Sequence, residues 1–388
     1  MGFKKAVMYG AGNIGRGFIG QLLYESGYEV CFIDVNQKLI KQLNTEKEYP
    51  VRLLDDDGYE ETLVRNVRAV DGNDIDAVAQ AIAEADICAT AVGVNVLKFT
   101  AEPFRQGIIR RFAAGGGPLN IIICENLIGA DIYLKKLISE KMSEEEQDCL
   151  QHVGFVEASV GRMVPVQTPE MQDGNPLRIC TERFCQLPVD RAAFRGEIPP
   201  IKNMVPFEPF SYYIERKLFI HNMGHATAAY FGKLAGCEYI WQAMERPEIV
   251  LCVLRAMLES AVALSKKYNV PFMELHSHIE DLLHRFSNHA LGDTVDRVGG
   301  DIKRKLSLND RLAGAYRLCK EEGVDNSCIA LAIAASLSFS REGEPKYDTE
   351  EILCEFMELD KNGTDYCRIM KLYQALQEKS FGLVSRAG

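Results

Sequence analysis

The stretch Arg216-Lys217-Leu218-Phe219-Ile220-His221-Asn222-Met223-Gly224-His225 sets a lysine, an asparagine and two histidines in an apolar run. Wound as an α-helix at about 100° per residue, Lys217, His221, His225 and Asn222 fall at about 0°, 40°, 80° and 140°, all on one side. An ionisable cation beside hydrogen-bonding groups on a mostly apolar helix has the make-up of a proton-transfer site. The same pattern also suits a helix whose Lys and His reach solvent along apolar stems.

A second constellation lies near the start of the chain. Lys4 to Tyr9 reads as a strand, Gly10-Ala11-Gly12-Asn13-Ile14-Gly15 as a turn, and Asn13 to Ser26 as a helix. A second strand from Tyr28 to Ile33 ends at Asp34. This is GxGxxG inside a βαβ unit, with an acid 19 residues beyond the last glycine. Gly10 suits the tight turn, Gly12 the approach of a pyrophosphate, and Gly15 close helix–strand packing. The N–H groups at Asn13 and Ile14 open the helix and offer partial positive charge to phosphates. Asp34 can accept hydrogen bonds from both ribose hydroxyls and would repel a 2′-phosphate, so NAD is expected over NADP. Arg16 is either a further anion contact or a solvated helix residue.

Two later strand ends extend this site. Asp86 to Thr90 leads into Ala91-Val92-Gly93-Val94, where small residues, Val92 and Gly93 among them, let a cofactor lie close. Leu119 to Cys124 ends at Glu125-Asn126, outside the carboxyl end of a strand, where open α/β sheets bind ligands. The Asn126 amide can donate to a substrate oxygen, or it can cap a helix expected over Leu127 to Met142.

These elements imply an α/β chain: a Rossmann-like doubly wound domain over 1–200, followed by an all-α domain over 201–388 that carries the Lys217 helix. The length of 388 residues is too great for one core. Within the first half, Val51 to Leu54 and Thr62 to Val67 read as short strands inserted in the sheet, joined by a turn at Asp56-Asp57-Gly58. A net charge of −11 without a basic run argues against nucleic acid as a partner. No apolar stretch is long enough to span a bilayer. Twelve scattered cysteines without CxxC fit free thiols in a reducing, cytoplasmic setting. His276, His278 and His284 lack convincing ligand spacing, so no metal is expected.

Taken together, these residues resemble the polyol-specific long-chain dehydrogenases nearly end to end. The most specific part is Lys217 with Asn222 and His225, similar to that family's Lys-x4-Asn-x2-His signature. Thr90-Ala91-Val92-Gly93, Cys124-Glu125-Asn126 and the run ending at Lys305-Leu306-Ser307 are similar too. The resemblance implies an NAD-dependent, zinc-independent oxidoreductase with Lys217 as general base. It also implies that Asn126 and Asn222 polarise the reacting oxygen, that His225 orients substrate, and that Arg297 and Lys305 contact it. The length suits the branch acting on sugar phosphates, with mannitol 1-phosphate and fructose 6-phosphate as the implied pair. Related hexitol or hexuronate enzymes (mannitol, tagaturonate, fructuronate) are the alternative, and a non-catalytic NAD-binding sensor is the alternative of another class. The chain departs from the family at Gly161, where an Asp usually precedes Arg-Met-Val-Pro and is expected to bind a substrate hydroxyl.

Overall fold

The computed structural model describes residues 3–55 and 58–378. The chain divides into two compact units, Met1–Ser211 and Tyr212–Gly388.

Among the described residues the first unit holds eleven strands: β1 (Lys4–Tyr9), β2 (Tyr28–Asp34), β3 (Glu48–Asp55), β4 (Gly58–Arg65), β5 (Val67–Asp71), β6 (Ile87–Thr90), β7 (Leu119–Ile123), β8 (Val153–Glu157), β9 (Ile179–Glu182), β10 (Leu187–Asp190) and β11 (Met204–Phe207). Six of them form one sheet in the order β5-β2-β1-β6-β7-β8, parallel throughout. A sheet covered by helices on both faces needs strands that are apolar without interruption. In β1, Ala6 and Met8 enter a core with Phe18, Phe32 and Val156 on one face. Val7 and Tyr9 enter a second core with Cys31, Phe104 and Ile121 on the other. The register aligns the carboxyl ends: Tyr9 stands beside Ile33 and Thr90, Thr90 beside Ile123, and Ile123 beside Glu157.

Two readings are corrected here. The strands at Val51 to Leu54 and Thr62 to Val67 are not inserted in the main sheet. β3 and β4 pair antiparallel and join β9 in a separate three-stranded sheet. Asn66 takes a left-handed conformation, φ 57°, and breaks the run. Val67 onward then leaves as β5, the edge of the main sheet. The expected turn at Asp56-Asp57 lies outside the described residues. The second correction concerns the helix expected from Leu127: it begins at Ala130, behind Gly129 at φ 69°.

The second unit is helical. Its central rod runs through Ser211–Arg216, Lys217–Asn222 and Met223–Leu234. The last of these segments is buried at nearly every position from Met223 to Gly232. Helices Pro247–Tyr268, Phe272–Phe286, Arg311–Glu321 and Ser327–Ser336 stand around it. Close approach uses glycine: a Cβ on Gly224 would lie 2.5 Å from Met257 Sδ, and one on Gly314 2.5 Å from Phe219 Cε1. Among the described residues no helix is long and apolar enough to cross a membrane.

Candidate active site

In the first unit the turn after β1 is shaped by missing Cβ atoms. Gly10 sits at φ 102° and donates its N–H to Ile33 O at 2.8 Å. A Cβ there would strike Ala91 O at 2.4 Å, and one on Gly15 would strike Gly10 O at 1.9 Å. Apart from its chain neighbours, nothing lies within 4 Å of where a Cβ on Gly12 would be. Two glycines are therefore required by packing, and the third is left open, which is what a pyrophosphate needs. Asn13 and Ile14 begin the helix, whose first N–H groups have no intrahelical acceptor. These residues fit a dinucleotide. The Asn13 side chain is partly engaged, donating to Pro165 O at 3.3 Å.

The helix after the turn is π-wound over Gly15–Gly20 and α-helical over Gln21–Glu25. Two buried arginines pin it. Arg16 donates to Ala11 O at 2.7 Å and Leu177 O at 2.6 Å. Arg162 donates to Glu182 O, Gly17 O and Gln21 Oε1. Burial lowers both guanidinium pKa values, that of Arg162 to about 10. Arg16, buried and with Nε and one terminal amino group committed to carbonyls, is a structural pin rather than a solvated helix residue.

Carboxylates at strand ends hold the neighbouring turns. Asp34, at the end of β2, accepts from Ala11 N at 2.9 Å and Asn36 N at 3.0 Å. Glu125, just beyond β7, accepts from Val92 N at 2.9 Å and Gly93 N at 2.8 Å. Glu157, the last residue of β8, accepts from Gly129 N at 2.9 Å. In each case the acid binds the N-terminal turn of the helix that follows the adjacent strand, where partial positive charge collects. Burial and the nearby Asp131 push the Glu157 carboxyl up to about 7, against the pull of the Gly129 N–H.

Two consequences follow for the expected cofactor residues. The N–H groups of Val92 and Gly93 are committed to Glu125, so what these residues offer a cofactor is close approach through small side chains. Asp34 shapes the turn as well as standing where a ribose would be read. Glu125 was not singled out from the sequence, although the signal was there: an acid at a strand's carboxyl end, as at Asp34. Asn126 is exposed, and its amide makes no hydrogen bond among the described residues. It does not cap the following helix, whose N-cap is Gly129.

In the second unit, Lys217–Asn222 is a π-helical turn between two α-helical segments. Met223 N donates to Leu218 O, five residues back. A π turn holds more residues than an α turn, so each residue advances by fewer degrees. The α-helical wheel that put Asn222 about 140° from Lys217 is therefore corrected: the wider turn swings Asn222 toward the lysine's face. His225 follows in α-helix, its ring stacked on Phe286 at 4.7 Å and 9°. His225 Nε2 lies 3.5 Å from Asp293 Oδ2, and Asp293 Oδ1 accepts from Arg297 Nη2. Burial drives the His225 pKa down to about 4 despite Asp293, so the ring is neutral near pH 7. Asp293, which links His225 to Arg297, is a second residue missed from the sequence. Lys305 is buried, with its ammonium donating to Val298 O. His221 is also buried, and desolvation with the nearby Arg285 charge holds it well below the ordinary histidine range.

A family model described as mannitol dehydrogenase Rossmann domain matches residues 4–203, and one described as mannitol dehydrogenase C-terminal domain matches residues 210–361. The chain belongs to the mannitol dehydrogenase family. Curated relatives include the mannitol-1-phosphate 5-dehydrogenase of Brevibacillus brevis, 42% identical and covering 86% of each chain. The protein of the same name from Thermoanaerobacter pseudethanolicus is 37% identical, over 96% of this chain and 98% of that one. Among solved structures, Pseudomonas fluorescens mannitol 2-dehydrogenase, in a ternary complex with NAD and D-mannitol, is 17% identical with a TM-score of 0.74. That match covers 99% of this chain and 94% of the other, and it shows a shared fold. At Gly161, a Cβ would come 3.3 Å from Phe184 Cε1. The Phe184 ring thus crowds the place where the family resemblance led one to expect an aspartate.

Proposed function

We propose that this chain interconverts mannitol 1-phosphate and fructose 6-phosphate, with NAD as hydride carrier and Lys217 as the general base. The observation that carries the reading is the π turn, which moves a lysine and an asparagine five residues apart toward one face. The likeness to enzymes named for that reaction supports the substrate. NAD supplies the hydride acceptor when bound, and Gly12, Asn13, Ile14 and Asp34 are the residues that would hold it.

In the oxidising direction, Lys217 takes the proton of the substrate hydroxyl as neutral amine. In the reducing direction, it returns that proton as ammonium. A lysine acts this way when desolvation and nearby positive charge bring its pKa toward neutrality. The amides of Asn126 and Asn222 donate hydrogen bonds to the oxygen as it gains negative charge, the part a metal ion plays in other alcohol dehydrogenases. His225, neutral and held near Asp293, offers a positioned polar group to a substrate hydroxyl, and Arg297 and Lys305 supply further contacts. The scheme calls for no metal.

The test is NADH consumption with fructose 6-phosphate, fructose and tagaturonate, each with and without EDTA. The reading expects fructose 6-phosphate to give the highest kcat/KM, unchanged by the chelator. A preference for fructose or tagaturonate would move the chain to another branch of the family, a course open because Gly161 supplies no carboxylate. No oxidation with any ketose would leave an NAD-binding sensor.

A further inference from the structure

The second unit contains buried positive charge that the proposed proton chemistry does not use. Helix Arg311–Glu321 packs on the Lys217–Asn222 turn at Gly314, where a Cβ would lie 2.5 Å from Phe219 Cε1. Arg311 is three residues earlier, on the same helix face. Its side chain is 11% exposed. Its Nε donates to Asp310 Oδ1 at 2.7 Å, while its two terminal amino groups make no hydrogen bond among the described residues. Asp310 is shared, since its other oxygen lies 3.4 Å from Arg304 Nη1.

Lys305 lies on the same short stretch of chain. It is 4% exposed, and its ammonium donates to the Val298 carbonyl. It forms no ion pair with a carboxylate among the described residues. Arg304 is also paired with Asp301. Arg304 and Arg311 are thus both paired with carboxylates, Asp301 and Asp310, while Lys305, the most buried of the three cations, has none within ion-pair distance among the described residues and feels Asp301 and Glu344 only from farther off. Burial first, then the Arg311 and Arg304 charges, lower the Lys305 pKa to about 7. The Tyr230 hydroxyl, fully buried and without a hydrogen-bond partner, feels Arg311 more than any other charge.

Lys305 is a desolvated cation with no carboxylate partner among the described residues. The terminal amino groups of the nearby Arg311 are open to solvent and to an anion arriving from it. A guanidinium edge matches phosphate oxygens two at a time, and a lysine adds a point charge. We propose that Arg311, with Lys305 beside it, forms the seat for the phosphate group of the sugar substrate. This rests on the sugar-phosphate reading above. It adds a recognition residue, Arg311, that neither the motifs nor the resemblance singled out.

The experiment compares wild type with Arg311→Met and Arg311→Lys in the full chain, using NADH with fructose 6-phosphate and with fructose. Inorganic phosphate serves as a competing anion. Arg311→Met is expected to raise KM for fructose 6-phosphate about 10- to 100-fold. That loss should exceed any loss with fructose at least tenfold, and inhibition by inorganic phosphate should weaken in parallel. Arg311→Lys, which keeps charge but not the fork, should fall between. Equal losses with both sugars, or undiminished phosphate inhibition, would overturn the seat while leaving the sugar-phosphate reading standing. Should Arg311→Met fail to fold, a wild-type KM for fructose 6-phosphate in Arg311→Lys would overturn it equally. A wild-type chain that does not reduce fructose 6-phosphate overturns the underlying reading instead.

Discussion

The turn after β1 and the turn at Lys217 are built on opposite principles. The first is made of backbone: Gly10 and Gly15 are fixed by atoms 2.4 and 1.9 Å from an absent Cβ, and Gly12 is left open. The second is made of side chains carried on a rod whose winding changes to π for six residues. A backbone site depends on residues that lack something, and glycine spacing writes that absence into the sequence. A side-chain site depends on the angle between neighbours, which here follows from a change in helical pitch. The two turns should therefore fail differently when altered.

The largest expected effect is at Lys217. Lys217→Ala should lower kcat at least about a hundredfold, within the range for loss of a general base. NADH affinity, measured by fluorescence titration, should stay within about twofold. A kcat near wild type would remove the lysine from its role.

Next comes the contrast between two glycines of one motif. Gly15→Ala forces a Cβ against Gly10 O and should cost about 3 kcal/mol of stability in chemical denaturation. Gly12→Ala meets nothing within 4 Å apart from its chain neighbours, so it should cost less than about 0.5 kcal/mol. It should nevertheless weaken NADH binding about tenfold or more, because the methyl takes the space of a phosphate. Equal stability losses in the two variants would contradict the division between packing and ligand glycines.

Glu125→Gln should be milder. An amide can accept from only one of the Val92 and Gly93 N–H groups and turns its own donor toward the other. A cost of about 1–3 kcal/mol follows from the group left unpaired, and KM for NADH should rise. Unchanged stability and KM would show that the turn does not need the carboxylate.

The smallest effect is a pH dependence. The His225 pKa falls from 6.5 to about 4 on folding, so between those values the unfolded state binds more protons. Stability from the buried neutral ring is then complete above pH 6.5 and is lost as pH falls toward 4. The stability gap between wild type and His225→Gln should narrow by about 1–2 kcal/mol between pH 7 and pH 5. A gap that widens on acidification would reverse the sign and refute a neutral His225.

Much of the first unit was legible because its signals are local. Continuous apolar strands, GxGxxG and the acid at Asp34 each declare themselves within a few residues. The edge strand β5 was hidden because Thr62 to Val67 reads as one run, with only Asn66 to mark the break. Glu125 and Glu157 act on turns one strand away in the sheet, a relation visible only once the strand order is known. In the second unit, the identity of the polar residues was readable, but their angles were not, because nothing local announces a π turn. Asp293 was passed over for a related reason: its link between His225 and Arg297 crosses between separate elements.

The central chemical step is the transfer of hydride to a sugar phosphate. NADH carrying deuterium at the transferable nicotinamide C4 position would be turned over with fructose 6-phosphate and the product examined by mass spectrometry and NMR. The account predicts mannitol 1-phosphate with one deuterium on the carbon that was the ketone. Deuterium retained by the cofactor, or absent from the sugar while NADH is consumed, would contradict it.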